Sequence, residues 1–332
     1  MSNIRNLVTL KAKAARTMLL VIVILLLPIV LTLSTVKTAG TLVIPTDNPT
    51  PFGYTWSLSL FLFPLLMLLL WAKKHGLQPF QRRACQLTLA ILAPIGIVLD
   101  LLLGHTFFTF ENKDAVCGLA LPAIGGPIPI EEFIFYVSGF ALVLLLYIWC
   151  DELWLKSYNR SDRSYAERAS NMSKIFNRCS TPAFLKTLIN TNSLFIALFL
   201  CLLAILYKTV ISPSCGFPGY FIFLTAVATT PALALFTATR RFINWRAFSF
   251  TFFIMVLVSL IWEATLAIPY AWWGYHHDMM MGIYISAWHN LPIEAAFLWM
   301  VVTYTTIIVY EAIKLWLLFK EHSQNPPLNE SD

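Results

Sequence analysis

The stretch PIEEFIFYVSGFALVLLLYIWCDELWL, residues 129–155, is matched by PIEAAFLWMVVTYTTIIVYEAIKLWL at residues 292–317. Pro129-Ile130-Glu131 and Pro292-Ile293-Glu294 each open a long apolar run. Other positions repeat at the spacing that carries Pro129 onto Pro292: Asp100 maps onto Glu263, Arg83 onto Arg246 and Gly53 onto Gly216. Repetition at one fixed spacing reads as two copies of a single unit. Proline suits a helix start, where its missing N–H would be unpaired anyway, so both glutamates fall in the first turn of a helix.

The apolar runs place those helices in a membrane. The chain has 332 residues, 58% hydrophobic and 12% charged, with a mean hydropathy of +0.71. A soluble domain carries about twice that charge. A hydrocarbon core of about 30 Å takes about 20 helical residues. Eight stretches meet that length: 17–36, 53–72, 84–104, 130–150, 188–208, 217–238, 246–266 and 292–317. The first is too long for a signal peptide and lacks a clean small-residue cleavage site, so it reads as an anchored helix. The expected fold is all-α, a polytopic helical bundle of about eight spans.

Charge placement supports that count. Eight spans put nearly all of the 23 Lys and Arg residues on one side and leave only Lys37, Lys113 and Lys208 on the other. By the positive-inside rule, both termini of this multi-pass protein face the cytoplasm, in the cell membrane. The net charge of +6 then needs no nucleic acid to explain it. The six cysteines form no CxxC or Cys/His spacing, so no metal is expected. Cys117 and Cys215 both fall in outward loops and could pair, although independent thiols are the simpler reading.

Residues 1–150 form a first module with its core at about 50–150. Residues 151–187 are a polar cytoplasmic linker, 188–320 a second module with its core at about 215–317, and 321–332 a disordered tail. Each module has four spans, an even number, so the repeats run parallel rather than inverted. Asp100 lies about 16 residues into its span, or about 24 Å up at 1.5 Å per residue. Glu263 does the same in the second module. Glu131, Glu132 and Glu294 start from the opposite face and reach the same depth, beneath the non-cytoplasmic surface.

Desolvation disfavours a carboxylate, so clustered carboxyls in a dry setting keep their protons and become general acids. The proton acceptor native to a membrane is an alkene of an isoprenoid lipid. Protonation yields a carbocation, which aromatic faces stabilise. Phe133, Phe135 and Tyr136 follow the first acids; Trp262, Trp272, Trp273, Tyr275 and Phe297 surround the others. These are the candidate substrate-binding rings. Each feature also has an ordinary reading. Trp and Tyr collect at membrane interfaces, first-turn glutamates suit the helix dipole, and Glu311 with Lys314 reads as an ion pair. Adjacent Glu131 and Glu132 point about 100° apart, so both cannot face one atom.

The sequence at Pro129 to Tyr136 resembles the Pro-x-Glu-Glu motif of the small membrane-integral lycopene cyclases, over about residues 50–150 and 215–317. The resemblance implies a tandem fusion of two such modules, acting as a lyase or isomerase without flavin, metal or other cofactor. It carries over Glu131, Glu132 and Glu294, with Glu131 or Glu294 as the acid. Asp100 and Glu263 join them from burial and repeat position. The second module departs from the motif, with Ala295 where a second glutamate is expected. Expected partners are a carotenoid or other isoprenoid substrate and membrane lipids, with a second copy of the chain left open. Two other readings stand beside this one: a hydratase or cyclase acting on another polyprenyl lipid, and a proton-coupled carrier with duplicated bundles.

Overall fold

Hydrophobic length decides the architecture. A computed structural model describes residues 50–155, 189–212 and 216–324. Among the described residues, seven helices are long and apolar enough to cross a membrane: α1 (Gly53–His75), α2 (Pro79–Phe107), α3 (Ile130–Trp154), α4 (Asn192–Ile211), α5 (Gly219–Thr239), α6 (Trp245–Ala267) and α7 (Ile293–Lys320). The chain is an all-α, multi-pass membrane protein. The expected span at 17–36 lies outside the described residues, as do most of the linker and Cys215; Cys117 is an exposed free thiol. Helical structure continues to Gln324, so the polar segment after Lys320 begins as helix rather than as tail.

Helix starts follow local chemistry. Gln78 and Gln81 form a reciprocal capping box at α2, with Pro79 in the first turn. At α6 the Asn244 side chain accepts from the backbone N–H groups of Arg246 and Ala247. Gly53 opens α1 and Gly219 opens α5, each followed by tyrosine. Gly219 therefore takes the place expected of Gly216. A Cβ on Gly53 would meet the Trp272 ring at 2.7 Å, so only glycine allows the tryptophan to lie across this helix start. Pro94 sits within α2 without ending it. A π-helical turn at Thr225–Thr229 precedes Pro231 in α5, and the Thr230 hydroxyl donates to the Thr225 carbonyl at 2.7 Å. Side chains of this kind re-satisfy backbone groups that membrane helices free near prolines.

The helices α3 and α7 form the centre, packed on each other; α2 and α6 each touch both. The outer faces carry exposed Phe63, Phe195, Phe199 and Leu202, which only hydrocarbon could cover. Short ladders gather at one end of the bundle. Strand β1 (Phe108–Thr109) pairs with β4 (Gly274–Tyr275), β2 (Ala120–Ala123) with β3 (Gly126–Pro129), and β5 (Tyr284–Ile285) with β6 (Leu291–Pro292).

The opposite end carries Lys73, Lys74, Arg82, Arg240, Arg241 and Arg246, together with a buried polar knot. Lys314 Nζ lies 3.1 Å from Glu311 Oε1 and 5.1 Å from the Tyr310 ring centroid. Tyr147 Oη donates to the same Glu311 oxygen at 3.1 Å, and Asn244 Nδ2 donates to Asp151 at 2.8 Å. The ion pair read from sequence spacing is thus buried within α7, and the Tyr147 bond to it ties α3 to α7. Removing one partner of a buried pair costs about 3 kcal/mol or more. Lys314→Met is expected to lower the unfolding midpoint in detergent by that order, and adding Glu311→Gln to recover part of the loss, as followed by thermal melting.

Candidate functional site

The ladder end of the bundle collects the carboxyls. Asp100, Glu131, Glu132, Glu263 and Glu294 are each at most 8% exposed, so none can be solvated as a surface acid would be. Glu132 lies within electrostatic range of Asp100, Glu263 and Glu131, and Tyr220 within range of Glu263, Glu294, Glu132 and Asp100. Their partners divide them into two groups.

Glu131 and Glu294 bind loops. The N–H of Cys117 donates to Glu131 Oε1 at 2.7 Å, and the Thr55 hydroxyl donates to the same oxygen at 2.5 Å. The N–H of Met281 donates to Glu294 Oε1 at 2.5 Å. A glycine with positive φ follows each bonded residue, Gly118 at +83° and Gly282 at +89°, and turns the chain into a hairpin. The hairpins close alike, the N–H of Ile130 on the Leu119 carbonyl and that of Ile293 on the Ile283 carbonyl. Each loop is also pinned to a helix start, since the N–H of Phe52 meets the Asp114 carbonyl and that of Phe217 the Asp278 carbonyl, both at 2.8 Å. Buried Lys208 adds a bond from Nζ to the Met280 carbonyl at 2.6 Å.

Asp100, Glu132 and Glu263 instead meet aromatic donors. Tyr54 Oη donates to Glu132 Oε1 at 2.8 Å. Tyr275 Oη donates to Glu263 Oε2 at 2.6 Å, and Trp299 Nε1 donates to Oε1 at 3.1 Å. Burial, with the Glu263 charge beside it, pushes the Tyr275 phenol well above its ordinary pKa, so this donor keeps its proton. Tyr136 Oη reaches Asp100 Oδ1 over a long 3.4 Å, while Asp100 Oδ2 is buried with no hydrogen-bond partner. Glu263 begins a π-helical turn, Glu263–Ala267, that ends α6; such turns recur at functional sites.

The rings form one contiguous cluster. Trp262 sits 4.7 Å from Trp273, 4.9 Å from Phe135 and 4.9 Å from Phe61 by ring centroids. Tyr54 lies 4.9 Å from Trp273 and stacks on Trp272 at 6.4 Å. Tyr275 and Phe108 come within 5.5 Å, and both approach Tyr220. Of the rings singled out from sequence, Phe135, Trp262, Trp272, Trp273 and Tyr275 join this cluster, and Tyr136 joins through Phe135. Phe133 is buried but outside it, and Phe297 stacks on Phe221 at 4.8 Å. Sequence reading missed Tyr54, Phe61 and Tyr220. The Gly-Tyr pairs at 53–54 and 219–220 were the available signal, hidden because they stand slightly further apart than the two Pro-Ile-Glu motifs.

Among the described residues, no three His, Cys, Asp or Glu side chains are grouped to hold a metal ion. Beside Asp100 lies an apolar cavity of about 120 Å³, lined by α2, α3, α5 and α7.

The loop-binding role has a measurable consequence. A hydrogen bond to a charged group is worth about 1.5–3 kcal/mol, and each 1.4 kcal/mol is about tenfold. Glu294→Ala is expected to speed amide exchange at Met281 by about tenfold or more and to leave the Cys117 loop unchanged, as read by hydrogen exchange with mass spectrometry. No protein-family model, curated protein or solved structure matches the chain.

Proposed function

We propose that the protein is an enzyme that protonates an alkene of a linear isoprenoid lipid and closes a ring on the resulting cation, with lycopene or a related carotenoid as the substrate class. The observation that carries this reading is the set of buried carboxyls Asp100, Glu132 and Glu263, each met by a phenol or indole donor within one aromatic cluster. A charged, solvated acid could not protonate a carbon. A dry, neutral one can, and the rings would stabilise the cation formed.

In this reading Asp100 is the acid, because its unpartnered Oδ2 belongs to a side chain lining the apolar cavity. The acid's proton passes to the CH carbon of the end alkene and leaves a tertiary cation on its dimethyl carbon. The π electrons of an internal alkene form the new carbon–carbon bond, and a carbon beside the new cation then gives up a proton to a carboxylate, with Glu132, within electrostatic range of Asp100, as the candidate. Protons balance and no electrons are gained or lost. Glu131 and Glu294 hold loop amides through Oε1 and, although each keeps a bare Oε2, lie outside the lining of the cavity, so in this reading they position the roof of the site instead of donating.

The same reading makes the bundle a duplicated module, with two parallel units of four spans including a leading span at 17–36. The basic end faces the cytoplasm by the positive-inside rule. Its support is the recurrence of helix starts, hairpins and acid–ring pairs. The spacing that carries Pro129 onto Pro292 also carries the bonded pair Asp100 and Tyr136 onto the bonded pair Glu263 and Trp299. The carrier reading has less support, since α2 runs unbroken through Pro94 and α5, although it carries a π-helical turn before Pro231, does not unwind there, where carriers use interrupted helices.

Expression in a lycopene-accumulating bacterial host tests the activity. The expected product has unchanged mass and a shifted chromophore, and carries one solvent deuteron when formed in D₂O. A gain of water would instead mark a hydratase. Asp100→Asn is expected to cut turnover about 10²-fold or more. Glu131→Gln should retain most of it, because the amide oxygen still accepts from Cys117 and Thr55. An active Asp100→Asn would sink the acid assignment.

A further inference from the structure

The two halves offer equivalent places for a ligand, and among the described residues the one beside Asp100 holds about 120 Å³ of space, against about 20 Å³ along Phe135, Gly139 and Trp299. The cavity beside Asp100 is walled by Leu99, Tyr136, Tyr220, Val227, Leu298 and Val302, among others. At the spacing that relates Asp100 to Glu263, Leu99 corresponds to Trp262, Tyr136 to Trp299, Leu298 to Phe135 and Val302 to Gly139. At the slightly longer spacing that aligns Tyr54 with Tyr220, Val227 corresponds to Phe61. Four of those counterparts are rings packed beside Glu263, where Phe61 lies 5.7 Å from Trp299 and Phe135 lies 5.2 Å from it. These four exchanges for larger rings, at Trp262, Trp299, Phe135 and Phe61, outweigh the one loss, Gly139 for Val302, and take up the volume that stays open on the other side. Glu263 is also held by two donors, whereas Asp100 keeps one oxygen unpartnered.

We infer that the protein binds a single isoprenoid end group, in the cleft between α2 and α5, and that the pseudo-equivalent cleft around Glu263 is a plugged, structural copy. The inference rests on the proposed chemistry for the identity of the ligand, and on the cavity alone for its place. The open cleft, at about 120 Å³, is near the ~150 Å³ of an apolar cavity that takes up benzene. It therefore suits the methyl-branched end of the chain, about the size of one six-membered ring, and not a whole carotenoid. Ile95 and Val227 line it and are exposed on the outside of the bundle, so its mouth opens sideways, where the rest of the chain would lie along the lipid. A saturated acyl tail would gain nothing from a carboxyl at the closed end. A methyl-branched alkene presents the atom that a carboxylic acid can protonate to a tertiary cation.

The test is photolabelling of the full chain in lipid nanodiscs with a squalene analogue that carries a terminal diazirine, the labelled peptides being read by mass spectrometry. Label is expected on α2 and α5 near Leu99 and Val227. Leu99→Trp, which copies Trp262 into the open cleft, should reduce it at least tenfold. Val227→Phe, which copies Phe61, serves the same purpose where Leu99→Trp fails to fold. Equal labelling of α6 around Trp262, labelling indifferent to both fillings, or equal capture of a diazirine-bearing saturated phospholipid would each overturn the inference. Specific labelling without any cyclised product would keep the site and remove the chemistry proposed for it. Cyclised product with label elsewhere would do the reverse.

Discussion

A carboxyl between membrane helices has no water to turn to, so the bundle itself must supply whatever satisfies it. That constraint organises the ladder end of this protein. Each of the five acids there is met by a donor from another part of the chain: a loop amide, a threonine hydroxyl, a phenol or an indole. Because those donors come from elsewhere, satisfying the acids also fixes the positions of α1, the hairpins and the loop after α6. The acids thus stitch this end of the bundle together. An unsatisfied buried polar group is expensive, and three of these acids keep one bare oxygen: Asp100 Oδ2, Glu131 Oε2 and Glu294 Oε2. Of the three side chains, that of Asp100 lines the apolar cavity.

The proposed duplication, with divergence between the copies, would account for the uneven use of these groups. Ala295, fully buried, stands where the first half has Glu132. The exchange leaves Tyr220 without an acid at the place where Tyr54 meets Glu132, and Tyr220 packs on Phe107 at 5.0 Å instead. The π-helical turn at Glu263 is a second departure, since the corresponding residues after Asp100 stay in regular helix.

Much of this was legible in the chain. Apolar length locates the helices within a few residues, because the hydrocarbon thickness sets it. The paired Pro-Ile-Glu motifs locate both hairpin-to-helix junctions. The acids were found by the same logic, since a charge in an apolar run has few innocent explanations. What the sequence hid was direction. Glu131 and Glu132 are neighbours about 100° apart on a helix, and nothing local says which one faces the loop and which the rings. Tyr54, Phe61 and Tyr220 were hidden because a ring in an apolar helix reads as packing until its neighbours are known. The slip at Gly216 came from assuming one constant spacing, whereas the stretch from Gly219 to Glu263 is three residues shorter than that from Gly53 to Asp100.

The pairing of Phe108 with Tyr275, and the bond from Trp272 Nε1 to the Thr50 hydroxyl at 2.7 Å, each join the first half of the chain to the loop that follows α6. Closing such long stretches of chain is entropically slow and unrewarded until both ends are in place. The roof over the acids must therefore assemble late, after α6 has been inserted and its trailing loop has come back across the first half. A nascent chain halted before that point would present its carboxyls uncovered, so completion of synthesis, rather than any single helix, marks the moment at which the chamber becomes dry.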